Sequence, residues 1–245
     1  MKHLLALVAI LLSTSVGYAE MSEDEQAYVA ANLTGIFYHE LGHAVIHLNE
    51  VPIFAQEEDA ADVFSVLLID MLNDEETAQS IAYDAAFGYI EDPEGHEDIP
   101  YWDVHGPDEQ RFYNHVCIFV GAVPDKRAGF AEDLELPEER LESCAAEFDQ
   151  ALESWNPIID ELADKRSGKV IEFIPAATKD IHSLFAMSVI AQEIDALNTE
   201  FALPETLTVR VEACDEANAF YDPEDISITI CTEFVEHLIE RMPGV

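Results

Sequence analysis

Positive charge is what this chain of 245 residues has least of: 11 Lys and Arg stand against 51 Asp and Glu, a formal net charge of −40. A surface of that sign repels phosphate backbones, which excludes nucleic acid as a partner. The acids are spread along the whole chain. That distribution reads as a solvated surface, with attraction of cationic substrates as the functional alternative. Long apolar runs are also missing: beyond the N-terminus nothing approaches the roughly 18 residues of a membrane helix, so no membrane span is expected. Repeats, low-complexity tracts and an interdomain linker are absent too, and residues 20–245 are expected to form a single domain.

What is present begins with "MKHLLALVAILLSTSVGYA", residues 1–19. Lys2, the short apolar run from Leu4 to Leu12 and the small residues Gly17 and Ala19 make a secretory signal peptide cut before Glu20. No cysteine follows the cut, which argues against a lipid anchor, and the expected destination is periplasmic or secreted. The 4 cysteines then meet an oxidising compartment, where two disulfides are expected out of three connectivities. Cys117 and Cys144 fall in two expected helices, while Cys214 and Cys231 flank an expected hairpin. The preferred pairing is therefore 117 with 144 and 214 with 231, and free buried thiols are the alternative.

The apolar periodicity predicts a mostly helical α+β chain. "SEDE" at Ser22 has capping-box spacing and opens a helix that runs through His47, with an interruption expected near Gly35. Asn49 to Pro52 breaks it, and a second helix from about Ala55 to Leu72 folds back as an antiparallel partner. Further helices are read in "TAQSIAYDAAFGYI", "GPDEQRFYNHVCIFVGAVP", "LPEERLESCAAEFDQALESWNPIIDELAD" and "TKDIHSLFAMSVIAQEIDALNTEF", and "EDPEGHEDIP" is an acidic loop. The β-branched, alternating segments "TLTVRVEAC" and "ISITIC" predict a hairpin over Leu207–Thr232, turning between Asp222 and Pro223 and setting Cys214 opposite Cys231. "KVIEFIP" is a candidate third strand.

The chemistry is carried by His39-Glu40-Leu41-Gly42-His43. Two histidines four apart on a helix share one face and can bind one zinc ion, with Glu40 beside it as a base for water. The motif is only moderately specific, but Glu58 and Asp62 follow on the second helix, four apart and turned back towards it. Glu58 can supply the third ligand, and a fourth position stays open as a catalytic site requires. Asp62, an acid within an apolar helix, is satisfied by the outer N–H of a ligand histidine. Glu57 is the rival ligand, but it lacks an aspartate four residues on.

With these residues in place the chain resembles the gluzincin metallopeptidases: H-E-x-x-H, then E-x-x-A-D, then an aromatic at Phe64. The resemblance implies that Glu58 binds zinc and that Asp62 supports a histidine. "HELGHAVI", "EEDAAD", "HGPDEQRFYNHVC", "LPEERLESC" and "CDEANAFYDPEDISITICTEF" together are similar to a bacterial family of metallopeptidase-like chains defined as a domain of unknown function. One departure matters. Zincin folds place their sheet before the H-E-x-x-H helix, whereas the strands here come last, so the C-terminal hairpin is expected beside that helix as a wall of the cleft.

Among other candidates, His47 suits a helix end better than a metal. His105 and Tyr221 are candidate donors to a developing oxyanion, each with a structural alternative. Arg111 is expected to pair with a carboxylate, and His96 in the acidic loop is read as solvated. The expected function is an exported zinc-dependent peptidase acting on a peptide or protein substrate. The alternative is a non-catalytic zinc-binding or interaction module on the same scaffold.

Overall fold

Ser22 and Glu25 open the first helix by the reciprocal bonds of a capping box, Ser22 N–H to Glu25 Oε2 at 2.6 Å and Glu25 N–H to Ser22 Oγ at 3.2 Å. In the computed structural model, which describes residues 21–90, 99, 101–164, 168–178 and 180–243, this helix α1 runs over Glu23–Leu48. It does not break at Gly35 as expected from the sequence. The residue instead permits a close approach: a Cβ there would stand 3.2 Å from that of Ala85. The N-terminal segment read as a signal peptide lies outside the described residues, as do most of the acidic loop and its His96.

The other helices are α2 (Glu57–Leu72), α3 (Glu75–Phe87), α4 (Asp108–Ala122), α5 (Ala128–Asp133), α6 (Glu138–Ala163), α7 (Ile181–Glu200) and α8 (Glu233–Arg241). The strands are β1 (Ile171–Ile174), β2 (Leu207–Glu212), β3 (Ala219–Asp222) and β4 (Ser227–Cys231). The fold is α+β and mostly helical, with a small sheet after most of the helices. Among the described residues no helix is long and apolar enough to cross a membrane.

α1 is the axis, packed against α2, α3, α7, α8, β3 and β4. Val29, Leu33, Phe37, Leu41 and Val45 are fully or almost fully buried along it. Each contributes about 1.5–3 kcal/mol of apolar burial, enough together for the helix to carry buried His39 and Glu40 without unravelling. α2 crosses α1 where Gly42 meets Ala61, so closely that a Cβ on Gly42 would lie 3.0 Å from the Ala61 Cα. The approach brings Glu58 and Asp62, on either side of Ala61, within reach of the α1 histidines. Gly42→Val is expected to push the helices apart and to cost about 1–3 kcal/mol in a urea unfolding titration.

The sheet corrects one expectation. Its order is β1-β2-β4-β3, and β2 and β4 are parallel, not the two arms of a hairpin over Leu207–Thr232. The chain between them forms the short strand β3, which turns through Pro223 and pairs antiparallel with β4 at the edge. Only four residues long and half exposed, β3 lacks the alternation that marks a strand in sequence. β1 lies parallel to β2, with α7 as the crossover that parallel strands need.

Both disulfides pair as expected. Cys117–Cys144 ties α4 to α6, and Cys214–Cys231 joins the ends of the parallel strands, with Cα atoms 5.0 and 5.4 Å apart. The second bridge works because Cys231 stands opposite Glu212, two residues before Cys214.

Candidate metal centre

One helical turn separates His39 from His43, and their rings meet edge to face with centroids 4.8 Å apart. The two Nε2 atoms are 3.2 Å apart. Glu58 Oε2, carried in by α2, lies 3.3 Å from His39 Nε2 and 3.2 Å from His43 Nε2. Neighbouring ligands in a tetrahedron with bonds of about 2.0–2.1 Å stand about 3.3 Å apart, so this triangle has the edges of one face of such a site.

The outer ring nitrogens meet carboxylates. His39 Nδ1 is 2.8 Å from Asp62 Oδ1, although the angle departs from that of a regular hydrogen bond, and no such bond reaches this buried nitrogen from elsewhere. His43 Nδ1 is 2.8 Å from Glu57 Oε1. A proton held on each Nδ1 leaves the Nε2 lone pairs facing the triangle, the tautomer a metal ligand needs. Glu57, the rival for the third ligand position, thus sits on the far side of His43 from Glu58.

Asp62 is braced in turn. Arg111 on α4 donates to it twice, Nε to Oδ2 and a terminal nitrogen to Oδ1, both at 2.8 Å, and Tyr89 O–H reaches Oδ1 at 3.3 Å. The guanidinium lies over the Tyr89 ring, 4.7 Å from its centre. Burial works against the Asp62 charge, but Arg111 and His39 hold its carboxyl well below the usual range. Arg111 was expected to pair with a carboxylate, but nothing local in the sequence says which.

His105 reaches the same cluster from the loop before α4. Its Nε2 is 3.0 Å from Glu58 Oε2 and its Nδ1 is 3.3 Å from Asp103 Oδ1. His39, Glu58 and His105 each offer a donor within 4.8 Å of the others. Two triplets therefore share His39 and Glu58. The one closed by His43 is the better metal site: its side chain is 13% exposed against 44% for His105, and it is fixed on a helix instead of a loop. Burial disfavours the Glu58 charge, yet the imidazoles of His105, His39 and His43 hold its carboxyl far below the usual range.

Glu40 faces the same cleft, buried, with the backbone N–H of Tyr221 on its carboxylate. Burial raises its pKa, partly opposed by His39 and His43. The Tyr221 hydroxyl is 2.7 Å from His47 Nδ1, so β3 is fastened to α1 at two points and walls the cleft, as expected of the C-terminal strands. Burial pushes the pKa of this phenol up to about 12.

Among the described residues around the triangle, the carboxylates of Glu40, Glu57, Glu58 and Asp62 face one permanently charged cation, Arg111. Burial would lower the His39 pKa, but Asp62 and Glu58 outweigh it and raise it to about 9. The donor set and this charge imbalance both fit a divalent cation. The cleft measures about 1200 Å³ and extends along α1 from Tyr28 past His47.

A cluster of imidazoles and one carboxylate on the floor of a cleft, each ring backed by a second carboxylate, is the class of site that holds a divalent metal. Over residues 6–159 and 175–243 the chain matches a protein family described as "Putative metallopeptidase", and it belongs to that family. Searches of the curated proteins and of the solved structures gave no match.

Proposed function

We propose that the protein is an exported zinc-dependent peptidase, with His39, His43 and Glu58 as metal ligands, Glu40 as the acid–base group and Asp62 as the brace of His39. The observation that carries this reading is the donor triangle with edges of 3.2–3.3 Å next to a buried glutamate. Two imidazoles and a carboxylate suit zinc better than magnesium or calcium, which prefer oxygen alone. Export is supported by the N-terminal segment and by the two disulfides.

Zinc held by His39, His43 and Glu58 would supply the Lewis acidity that polarises a carbonyl and acidifies a water. Glu40 takes the proton from that water as oxygen attacks the carbonyl carbon, then passes it to the amide nitrogen as the C–N bond breaks. Burial raises its pKa, which makes the carboxylate a stronger base towards the water and leaves the acid still able to protonate the departing amine. Asp62 and Glu57 keep the two ligand rings in the Nε2-open tautomer. His105, whose ring Asp103 orients, is the group offered for donation to the developing oxyanion.

The proximity of His105 to Glu58 also favours a second reading. As a fourth protein ligand it would close the site and leave a structural or metal-binding module. The two readings divide on His105→Ala, assayed for metal content and for cleavage of a quenched-fluorescence peptide library. The peptidase reading expects bound zinc to stay at one equivalent while turnover falls roughly 100- to 1,000-fold. Loss of the metal would favour the closed site.

A further inference from the structure

Most large apolar side chains among the described residues are buried, yet several beside the cleft are exposed, four of them by more than half: Phe54 is 98% exposed, Tyr101 80%, Trp102 86% and Val104 61%. Phe54 lies in the connection from α1 to α2, just before Gln56 and Glu57, which line the cleft. Tyr101, Trp102 and Val104 directly precede His105, and Val104 itself lines the cleft. The loop that carries them is shaped by local bonds, Tyr101 N–H to Ile99 O at 2.9 Å and His105 N–H to Asp103 Oδ1 at 3.0 Å. An aromatic ring left in water forgoes about 1.5–3 kcal/mol of burial, so such a patch at the mouth of a cleft marks a contact surface.

The occupant is indicated by charge. Next to these residues in the chain, the cleft wall presents Glu57, half exposed, and Asp103, whose bonds to His105 keep its carboxyl below the usual range. Arg111, which lines the cleft beside them, is engaged by Asp62. Over the whole chain the net charge is −40. A negative field of this kind draws cations towards the cleft and turns anions away. Exposed Trp and Tyr rings accept both apolar side chains and the face of a guanidinium or ammonium group.

We propose that Phe54, Tyr101, Trp102 and Val104, together with Glu57 and Asp103 of the cleft wall, form a recognition rim for cationic amphipathic peptides. The rim takes a bulky apolar residue that has lysine or arginine beside it. The inference rests on the peptidase reading for the fate of the peptide, but not for its binding.

The test uses the full chain carrying Glu40→Gln, so that peptides bind uncut. Three labelled peptides of equal length serve as probes: one with alternating leucine or phenylalanine and lysine, one with glutamate replacing every lysine, and one with serine replacing every apolar residue. Affinity is read by anisotropy. Docking is also read by intrinsic fluorescence, since the two tryptophans are Trp102 at the rim and buried Trp155, 6% exposed. The expected result is at least tenfold tighter binding of the cationic amphipathic peptide than of either other. The advantage should shrink as salt rises, and the Trp102 emission should shift to the blue. Tyr101→Ala with Trp102→Ala should remove most of that advantage while circular dichroism and metal content stay unchanged. Equal binding of the three peptides, an advantage untouched by the double replacement, or self-association of the chain through the rim would overturn the inference. The failure modes are distinct. Cleavage by the unsubstituted chain without this preference sinks the rim alone, and preferential binding with no peptide cut sinks the peptidase reading alone.

Discussion

Glu40→Gln is expected to leave the metal content at one equivalent per chain and to lower peptide hydrolysis by about three orders of magnitude, with little change in the affinity for uncut peptides. General acid–base catalysis is worth roughly 100- to 10,000-fold, and Glu40 is asked to serve in both proton transfers, which places the expected loss in the upper part of that range. The amide keeps the size of the side chain and can still accept the Tyr221 N–H, so the fold should be retained. It cannot take a proton from water. Metal analysis paired with single-turnover kinetics separates the two functions: a variant that loses metal would make Glu40 a ligand, and one that keeps full activity would remove it from the mechanism.

The second large effect is expected behind the site. Asp62→Ala leaves the Arg111 guanidinium, 16% exposed, without the carboxylate that takes two of its bonds. Breaking one side of such a buried pair costs about 3–5 kcal/mol, and loss of a carboxylate behind a ligand histidine weakens metal binding roughly 10- to 100-fold. Both effects are readable, the first by urea unfolding of metal-free protein and the second by competition with a chelator. Joint replacement of Asp62 by Leu and Arg111 by Met should recover much of the stability, because no charge is then left unpaired, but none of the metal affinity. If affinity returned along with stability, Asp62 would be a packing residue and its approach to His39 Nδ1 incidental.

How much of this was legible in the sequence depends on the range of the interaction. The capping box at Ser22, the helical pairing of His39 with His43 and the return of Glu58 and Asp62 on a second helix are local or one short turn apart. Spacing and chain reversal are enough to read them. The partners of the outer nitrogens are less local. Glu57 was a rival ligand because adjacency to Glu58 cannot tell which face of a neighbouring helix a side chain meets. Its contact with His43 Nδ1 follows from where α2 enters the crossing at Gly42 and Ala61. Arg111 lies 49 positions from Asp62 and Tyr89 lies 27, separations at which sequence pattern carries no pairing information.

The sheet shows the same limit. Both "TLTVRVEAC" and "ISITIC" were recognisable as strands from their β-branched alternation. Whether two such strands run parallel or antiparallel is decided by what the connection does. Here it holds "AFYD", a strand too short and too exposed to announce itself, and it reverses the sense of the pair. The disulfide was predicted correctly on the wrong topology, because Cys214 and Cys231 come together at strand ends in either arrangement. Short elements α5 and α8 also escaped, the first of only six residues and lying between turns.

The central claim is that His39, His43 and Glu58 together hold one divalent metal ion. The direct measurement is isothermal titration of zinc into chelator-treated protein, run in parallel on the unsubstituted chain, His39→Ala and Glu58→Ala. The account predicts one tight site per chain with proton release on binding, lost or weakened by orders of magnitude in both variants. No binding at neutral pH, or the same single site in all three proteins, would contradict it.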